Sequence, residues 1–383
     1  MWPLLLRRYG AHLSREEAAE LVAPHPDTLE LVHSWLAHHG VQSSSISTTH
    51  GGNWLTLTGV PVLRANELLG ASFQLYQHAG TNDTAILRTV GYALPTVLHT
   101  HIQTVAPTTF FASARTPQQT RRMLSVREVE VLTKAVSREP MTTVSRRDSE
   151  ITDMVTPDFL RWQYKTFAYF PRVPTRNGIG IVGYTSELPT MQALRDFMSQ
   201  FRSDAQNPTF HIEPVDNGDI QPGQSLEANF QMEYAQAITF PTQHTYFGTS
   251  RENLMWFQTD TTTFTPAPGD MFLTWLGHVL HLEDIPQTIM TAYGVHEMFV
   301  PPDYASDICN LFAILGVRGV TVLSATGDYG VGAGECIDHL GNVRFMAMFP
   351  ATCKCDIYPL SSLHKRKYKL IDTLLWFRRS MGH

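Results

Sequence analysis

Cysteine is scarce in this chain, and long apolar runs are absent. Four cysteines, Cys309, Cys336, Cys353 and Cys355, occur in 383 residues, all of them in the last quarter. So few exclude a small scaffold in which disulfides replace a core. No run approaches the roughly 20 apolar residues of a spanning helix, so no membrane span is expected. The opening Met1-Trp-Pro-Leu-Leu-Leu-Arg-Arg8 has too short an apolar core for a secretory leader. Charge of either sign is also sparse, at 17% of residues with a formal net charge of -6. That leaves no broad basic face, and nucleic acid is not an expected partner. The one basic cluster, His364 to Lys369, is local.

Hydrophobic residues make up 43% of the chain, enough to bury a sizeable core, and the length suits two or three domains. The four cysteines allow three pairings if oxidised, and the sequence does not choose among them, a disulfide such as Cys336 with Cys353 being one candidate. Cys353 and Cys355 near His339 also admit a metal reading, but a single C-x-C without a second pair is a weak signal. Glu335, Asp338 and Asp356 lack the spacing of a calcium loop.

Helices and short strands mix in the first part. Ser14 with Glu17 reads as a capping box. A second helix opens at Pro26-Asp27, carries Leu29, Val32 and Leu36, and stops at Gly40. A β-run around Trp54 to Leu57, a helix from Val62 to Leu69, and two alternating runs, Phe73 to His78 and Ile86 to Tyr92, follow. The last two flank Gly80-Thr-Asn-Asp83 as a hairpin. This predicts an α+β domain over 1–111. From 112 to 155 the composition turns to Arg, Ser, Thr and Glu, which reads as a linker with a processing region and an internal helix near Ser125 to Val136.

From 156 to 353 strands and helices alternate. Strands are expected at Ile179 to Gly183, Phe210 to Val215, Ile289 to Thr291 and Gly319 to Ser324. Helices are expected at Leu194 to Phe201, Ser225 to Ile238 and Tyr304 to Leu315. Continuous apolar strands between helices indicate a mainly parallel sheet covered on both faces, with functional residues beyond the carboxyl ends of its strands. Residues 354–383 form a divergent basic tail.

The segment RYGAHLSREEAAELVAPHPDTLELVHSWLAHHGV resembles the activation propeptide of the sedolisin, or serine-carboxyl, peptidases, which include kumamolisins and tripeptidyl peptidases. So does YALPTVLHTHIQTVAPTTFF. Further on, TPDFLRWQY, EANFQMEYAQAI, ICNLFAILGVRGVTVLSATGDYGVG and FMAMFPATC resemble the same family, in the same order. The resemblance implies a propeptide followed by a subtilisin-like α/β peptidase domain, here incomplete, with peptides or proteins as substrates and an extracellular, acidic setting. In such a medium imidazole, with a pKa of about 6.5, is protonated and cannot act as base, whereas a carboxylate titrates near the working pH.

By that resemblance Glu227 matches the glutamate base of the family's E-A-x-L-D motif. Four residues on, where the family has aspartate, stands Gln231. The spacing keeps both on one helix face, but an amide cannot share a proton with Glu227. Asp328 matches the oxyanion aspartate of the S-G-D-x-G turn, with Thr326 for the usual serine and Tyr329 in a commonly small place. Protonated, such an acid donates to a developing oxyanion. The plainer alternatives are a solvated helix carboxylate for Glu227 and a turn residue bonding backbone amides for Asp328.

The family's G-T-S-x-S-x-P serine motif does not occur in these residues, so the catalytic serine reads as absent. Gly248-Thr249-Ser250 precedes Asp328, continues Arg-Glu-Asn, and is not read as its substitute. The family's calcium loop is expected beyond this sequence, so no cofactor or metal is assigned to the chain. Met1 falls inside the propeptide pattern and the sequence diverges after Cys353, so both ends read as truncated.

These readings imply a zymogen of a serine-carboxyl peptidase that is itself inactive. The alternative is a non-catalytic binding or inhibitory protein acting through its propeptide-like domain. A truncated sheet would also leave the second domain prone to aggregation or proteolysis, since net stability is only about 5–15 kcal/mol. Histidines such as His38, His39, His99 and His101 suit an acid trigger between propeptide and peptidase, and Asn82-Asp-Thr84 fits a glycosylation acceptor on an exported chain.

Overall fold

The computed structural model describes residues 10–49, 51–76, 86–111, 155–184, 188–215, 226–249, 255–258, 264–267, 271–327 and 347–353. The linker helix, the hairpin turn with its glycosylation sequon, and the basic tail lie outside these residues.

The first unit is the α+β domain expected. Helix α1 (Arg15–Val22) starts at a full capping box: Glu17 N–H donates to Ser14 Oγ at 3.1 Å and Ser14 N–H to Glu17 Oε2 at 2.8 Å. Helix α2 (Pro26–His38) has proline in its first turn, where the missing N–H costs nothing. It is followed by Gly40 at φ +76°, a left-handed stop that a side chain would strain. Strands β1 (Ile46–Thr48) and β2 (Leu55–Leu57) pair antiparallel, as do β3 (Gln74–Tyr76) and β4 (Ile86–Arg88). Helix α3 (Val62–Leu69) closes the unit over a core of Val32, Leu36, Val41, Leu68, Leu69 and Leu98.

After helix α4 (Pro157–Gln163) the chain builds one parallel sheet. Its strands are β5 (Gly178–Gly183), β6 (His211–Val215), β7 (Gln243–Thr249), β10 (Thr288–Thr291) and β12 (Thr321–Ser324), in the order β12-β10-β5-β7-β6. Between β7 and β10 come the antiparallel pair β8 (Met255–Gln258) and β9 (Phe264–Ala267), then helix α7 (Met271–His281). Helices α5 (Met191–Phe201) and α6 (Leu226–Thr239) cover one face, with Ile181 and Tyr246 pointing to them. Helices α7 and α8 (Pro302–Val317) cover the other, taking Val182, Phe247 and Ile289. Neighbouring residues of one strand thus enter different cores, which is why these strands read as unbroken apolar runs. Strand β11 (Val295–His296) pairs with β13 (Met348–Phe349) beyond the sheet.

The two parts pack together at the start of α1 and at Phe110. Leu13 N–H, just before α1, donates to the Val317 carbonyl at 2.9 Å, Arg15 Nη1 to the His281 carbonyl at 3.1 Å, and Phe110 stacks on Tyr304 at 5.1 Å. Arg318 bonds the Leu280 and Leu282 carbonyls at 3.0 and 2.8 Å. Two cations therefore cap the last turn of α7, where helix carbonyls lack partners and carry partial negative charge. The void left at this junction, beside Ala18, Trp54 and Ile314, is only about 30 Å³.

Two features go beyond what the sequence displayed. The disulfide joins Cys309 of α8 to Cys353, with Cα atoms 5.2 Å apart, so Cys353 is not available to Cys336. Cys309 lies 44 residues upstream, and only the return of β13 alongside β11 brings the two together. Strand β7 and helix α7 were not anticipated at all, although β7 lies inside the sheet between β5 and β6.

Candidate functional site

The carboxyl ends of the parallel strands lead into Tyr184, Thr249, Thr291 and Ala325. Ala325 N–H donates to the Thr291 carbonyl at 3.0 Å, keeping β12 aligned with β10 as it leaves the sheet. Gly327 follows at φ +89°, a conformation L side chains rarely adopt, so the chain turns sharply there. Asp328 is the next residue and lies outside the described residues, as do Tyr329 and Ser250. Thr249 is buried and spends its hydroxyl on the Gly183 carbonyl at 2.9 Å, the work of a structural residue rather than a nucleophile.

Glu227 stands in the first turn of α6, where a carboxylate meets the positive end of the helix. It is only 9% exposed, so the solvated-carboxylate alternative is wrong for this residue. Gln231, 3% exposed, donates from Nε2 to Glu227 Oε1 at 3.0 Å. Four residues of helix thus give a buried, directional pair, as the spacing implied. Gln231 Oε1 is buried without a hydrogen-bond partner among the described residues. The amide can steady Glu227 and cannot take a proton from it.

Around the strand ends lies an aromatic cluster: Tyr184 meets Phe272 at 5.5 Å and Tyr293 at 5.4 Å, and Phe272 meets Phe349 at 5.3 Å, all edge to face. Edge-to-face rings at such distances add about 0.5–1.5 kcal/mol per pair beyond area burial. No cluster of three or more His, Cys, Asp or Glu suited to a metal occurs among the described residues. None of the described helices is long and apolar enough to cross a membrane.

Three titratable groups elsewhere gave no signal in the sequence, because only tertiary packing buries them. Burial pushes the Glu233 carboxyl up to about 7. Burial, with Asp303 one turn away, pushes Asp307 up to about 6. Burial pulls His244 down to about 4, against backbone hydrogen bonds that favour its charged form. The raised carboxyls contribute stability that is complete below their ordinary values of 4.5 and 3.8 and is lost as pH rises through about 7 and 6. His244 has the opposite sign: its contribution is complete above 6.5 and is lost as pH falls through about 4. Between 4.5 and 6 two carboxyls oppose one imidazole, so net stability should fall as pH rises. The thermal midpoint is therefore expected to be higher at pH 4.5 than at pH 7, and Glu233→Gln, neutral throughout, should flatten that slope. Equal slopes for the two proteins would contradict the assignment to Glu233.

Comparison with known proteins agrees with the order of these parts. Residues 6–111 match the Pro-kumamolisin activation domain. A probable tripeptidyl-peptidase SED4 of Trichophyton verrucosum is 29% identical over 351 residues, which is 90% of this chain and 55% of the relative. The tripeptidyl-peptidase SED4 of Arthroderma otae is 29% identical over 352 residues, with the same coverage. A tripeptidyl-peptidase SED2 of the latter organism is 28% identical and covered to 57%. The chain thus spans about half the length of the curated relatives it matches. Among solved structures, Pseudomonas sedolisin (serine-carboxyl proteinase), complexed with two molecules of pseudo-iodotyrostatin, superposes with a TM-score of 0.38 at 16% identity. That superposition covers 53% of this chain and 52% of the other, and is too loose to carry weight. With an activation-domain match leading into an α/β region that aligns with tripeptidyl-peptidases, the chain is similar in both parts to the sedolisin, or serine-carboxyl peptidase, family.

Proposed function

We propose that the chain is a zymogen-type serine-carboxyl peptidase sequence whose 383 residues hydrolyse no peptide by themselves. The observation that carries this reading is the buried Glu227–Gln231 pair. Glu227 has the seclusion and the helix position of a general base, which would take the proton of an attacking hydroxyl. Gln231 supports it with a hydrogen bond but cannot accept a proton or hold charge. In a serine triad the comparable change of the base's acidic partner to an amide lowers turnover by about 10⁴. Asp328 would be the oxyanion donor, placed directly after the Gly327 turn. No sequence of the family's nucleophile type occurs in these residues.

In this reading residues 1–111 are the activation domain, 112–155 the processed linker and 156–353 the peptidase region. The substrates would be peptides or proteins and the setting extracellular and acidic, consistent with the two carboxyls that favour acid stability. The test is hydrolysis by the purified chain at acidic pH of tripeptidyl-anilide and internally quenched peptides. Buffer-level release is expected, and turnover that disappears in Glu227→Ala would refute the inactivity.

A second reading is favoured by the contacts of α1 and Phe110 with α7 and α8. A domain that packs on the helices of a peptidase region can do so on an active relative, making the chain an inhibitor. Adding the chain to an active sedolisin should then lower its rate in a saturable manner. An unchanged rate at excess chain would eliminate this reading.

A further inference from the structure

Six aromatic rings between Phe159 and Phe170 are 41–68% exposed: Phe159, Trp162, Tyr164, Phe167, Tyr169 and Phe170. Soluble proteins rarely leave so much apolar surface together without a binding use. Two of these rings line a cleft of about 290 Å³ whose wall also includes Asp158, Arg161, Phe201 and Arg202.

The two guanidiniums of the cleft differ in what they have left to offer. Arg202 is saturated: Nε and Nη2 each meet Asp204 at 2.8 Å, and Nη1 donates to the Ala237 carbonyl. Arg161 is 7% exposed and lies 5.5 Å above both Phe167 and Phe170. Its Nη2 donates to the Phe167 carbonyl at 2.9 Å, while Nη1 and Nε have no hydrogen-bond partner among the described residues. A buried cation with unused donors, held over two aromatic rings and by the Phe167 carbonyl, is pre-organised for a planar anion, because its position is fixed before the ligand arrives. Asp158 borders the same cleft, as does Asp204, whose side chain is 61% exposed.

We propose that this cleft binds a small carboxylate carrying an adjacent apolar side chain, the chemistry shared by a free aromatic amino acid and the carboxyl end of a short peptide. The carboxylate pairs with Arg161, and the side chain lies against Phe167, Phe170 and Phe201. In a free amino acid the ammonium faces Asp158 and Asp204. The site uses none of the groups assigned to peptide hydrolysis.

Isothermal titration of the full chain with L-phenylalanine, L-phenylalanine amide, 3-phenylpropanoate and acetyl-alanyl-phenylalanine tests it. L-phenylalanine or the acetyl dipeptide should bind, and the amide should bind at least about tenfold more weakly, the effect of losing a charge-assisted hydrogen bond. A dipeptide as tight as the amino acid identifies a peptide end as ligand, and one about tenfold weaker identifies the free amino acid. Phe170→Ala, at an exposed ring, should lose about tenfold in affinity with an unchanged melt. The proposal is overturned if no carboxylate binds below about 10 mM, if the amide binds as well as the acid, or if folded Phe170→Ala binds normally.

Discussion

Trp275→Ala is expected to cost about 3–5 kcal/mol of stability, most of what a marginal domain has. Trp275 is fully buried in α7, in the cluster that also holds Phe272, Phe312 and Leu276, its ring 6.0 Å from that of Phe312. Helix α7 is held to α8, to the sheet, and through its last carbonyls to Arg15 and Arg318. A cavity at Trp275 therefore loosens the junction of both parts rather than one local site. Trp275→Phe should cost far less, for a separate reason. The indole Nε1 is buried without a hydrogen-bond partner among the described residues, and removing an unpaired donor recovers about 1–3 kcal/mol of desolvation penalty that offsets the smaller ring. Denaturant unfolding followed by circular dichroism separates the cases. An alanine variant within 1 kcal/mol of the parent would contradict this placement of α7 (about 1 kcal/mol is the ordinary effect of a point change).

Gln231→Asp is expected to add a pH dependence of stability that an amide at this position cannot give. Nε2 of Gln231 donates to Glu227 Oε1 at 3.0 Å with both side chains buried. A second carboxyl in that place gives two acids that cannot both ionise at low cost, so the pair must share a proton or separate. Below about pH 5 the shared proton restores a hydrogen bond and the variant should approach the parent. By about pH 7 it should be less stable by about 2 kcal/mol or more, as like charges are forced together out of water. Gln231→Leu tests the same contact from the other side: it leaves Glu227 without this donor and should cost about 1–3 kcal/mol. A Gln231→Asp protein whose melt follows the parent's from acid to neutral pH would show that the two side chains do not meet. Restoring the acid is not expected to restore hydrolysis, because the proposed reading assigns no activated hydroxyl to these residues.

Much of the sheet could be read from the chain because its strands are buried on both faces. Ile179 to Gly183 and Thr288 to Thr291 send alternate residues into two cores and so carry no polar alternation. Strand β7 escaped because Gln243-His-Thr-Tyr-Phe-Gly-Thr249 looks like a polar turn. Its polarity is satisfied by partners that a sequence does not display: His244 meets Thr239 Oγ1 at 3.0 Å and the Thr242 carbonyl at 2.9 Å. Helix α7 escaped for the opposite reason, being strongly apolar with only a narrow polar stripe of Thr274, His278 and His281 to mark its outer face.

At the site the sequence carried the Glu227–Gln231 pairing, since four residues of helix fix it. It did not carry the depth of burial of Glu227, which depends on how α6 packs against α5 and the sheet. Nor did it carry Cys309 as the partner of Cys353, a meeting made by two distant segments. The open donors of Arg161 are likewise visible only once Phe167 and Phe170 are folded beneath it.

The most direct measurement is covalent: incubate the folded chain at acidic pH with a fluorophosphonate that reacts only with activated hydroxyls, and read the intact mass. An unmodified mass is expected under the proposed reading, which assigns Glu227 no hydroxyl to activate. A single stoichiometric adduct on a serine or threonine, abolished in Glu227→Ala, would contradict it.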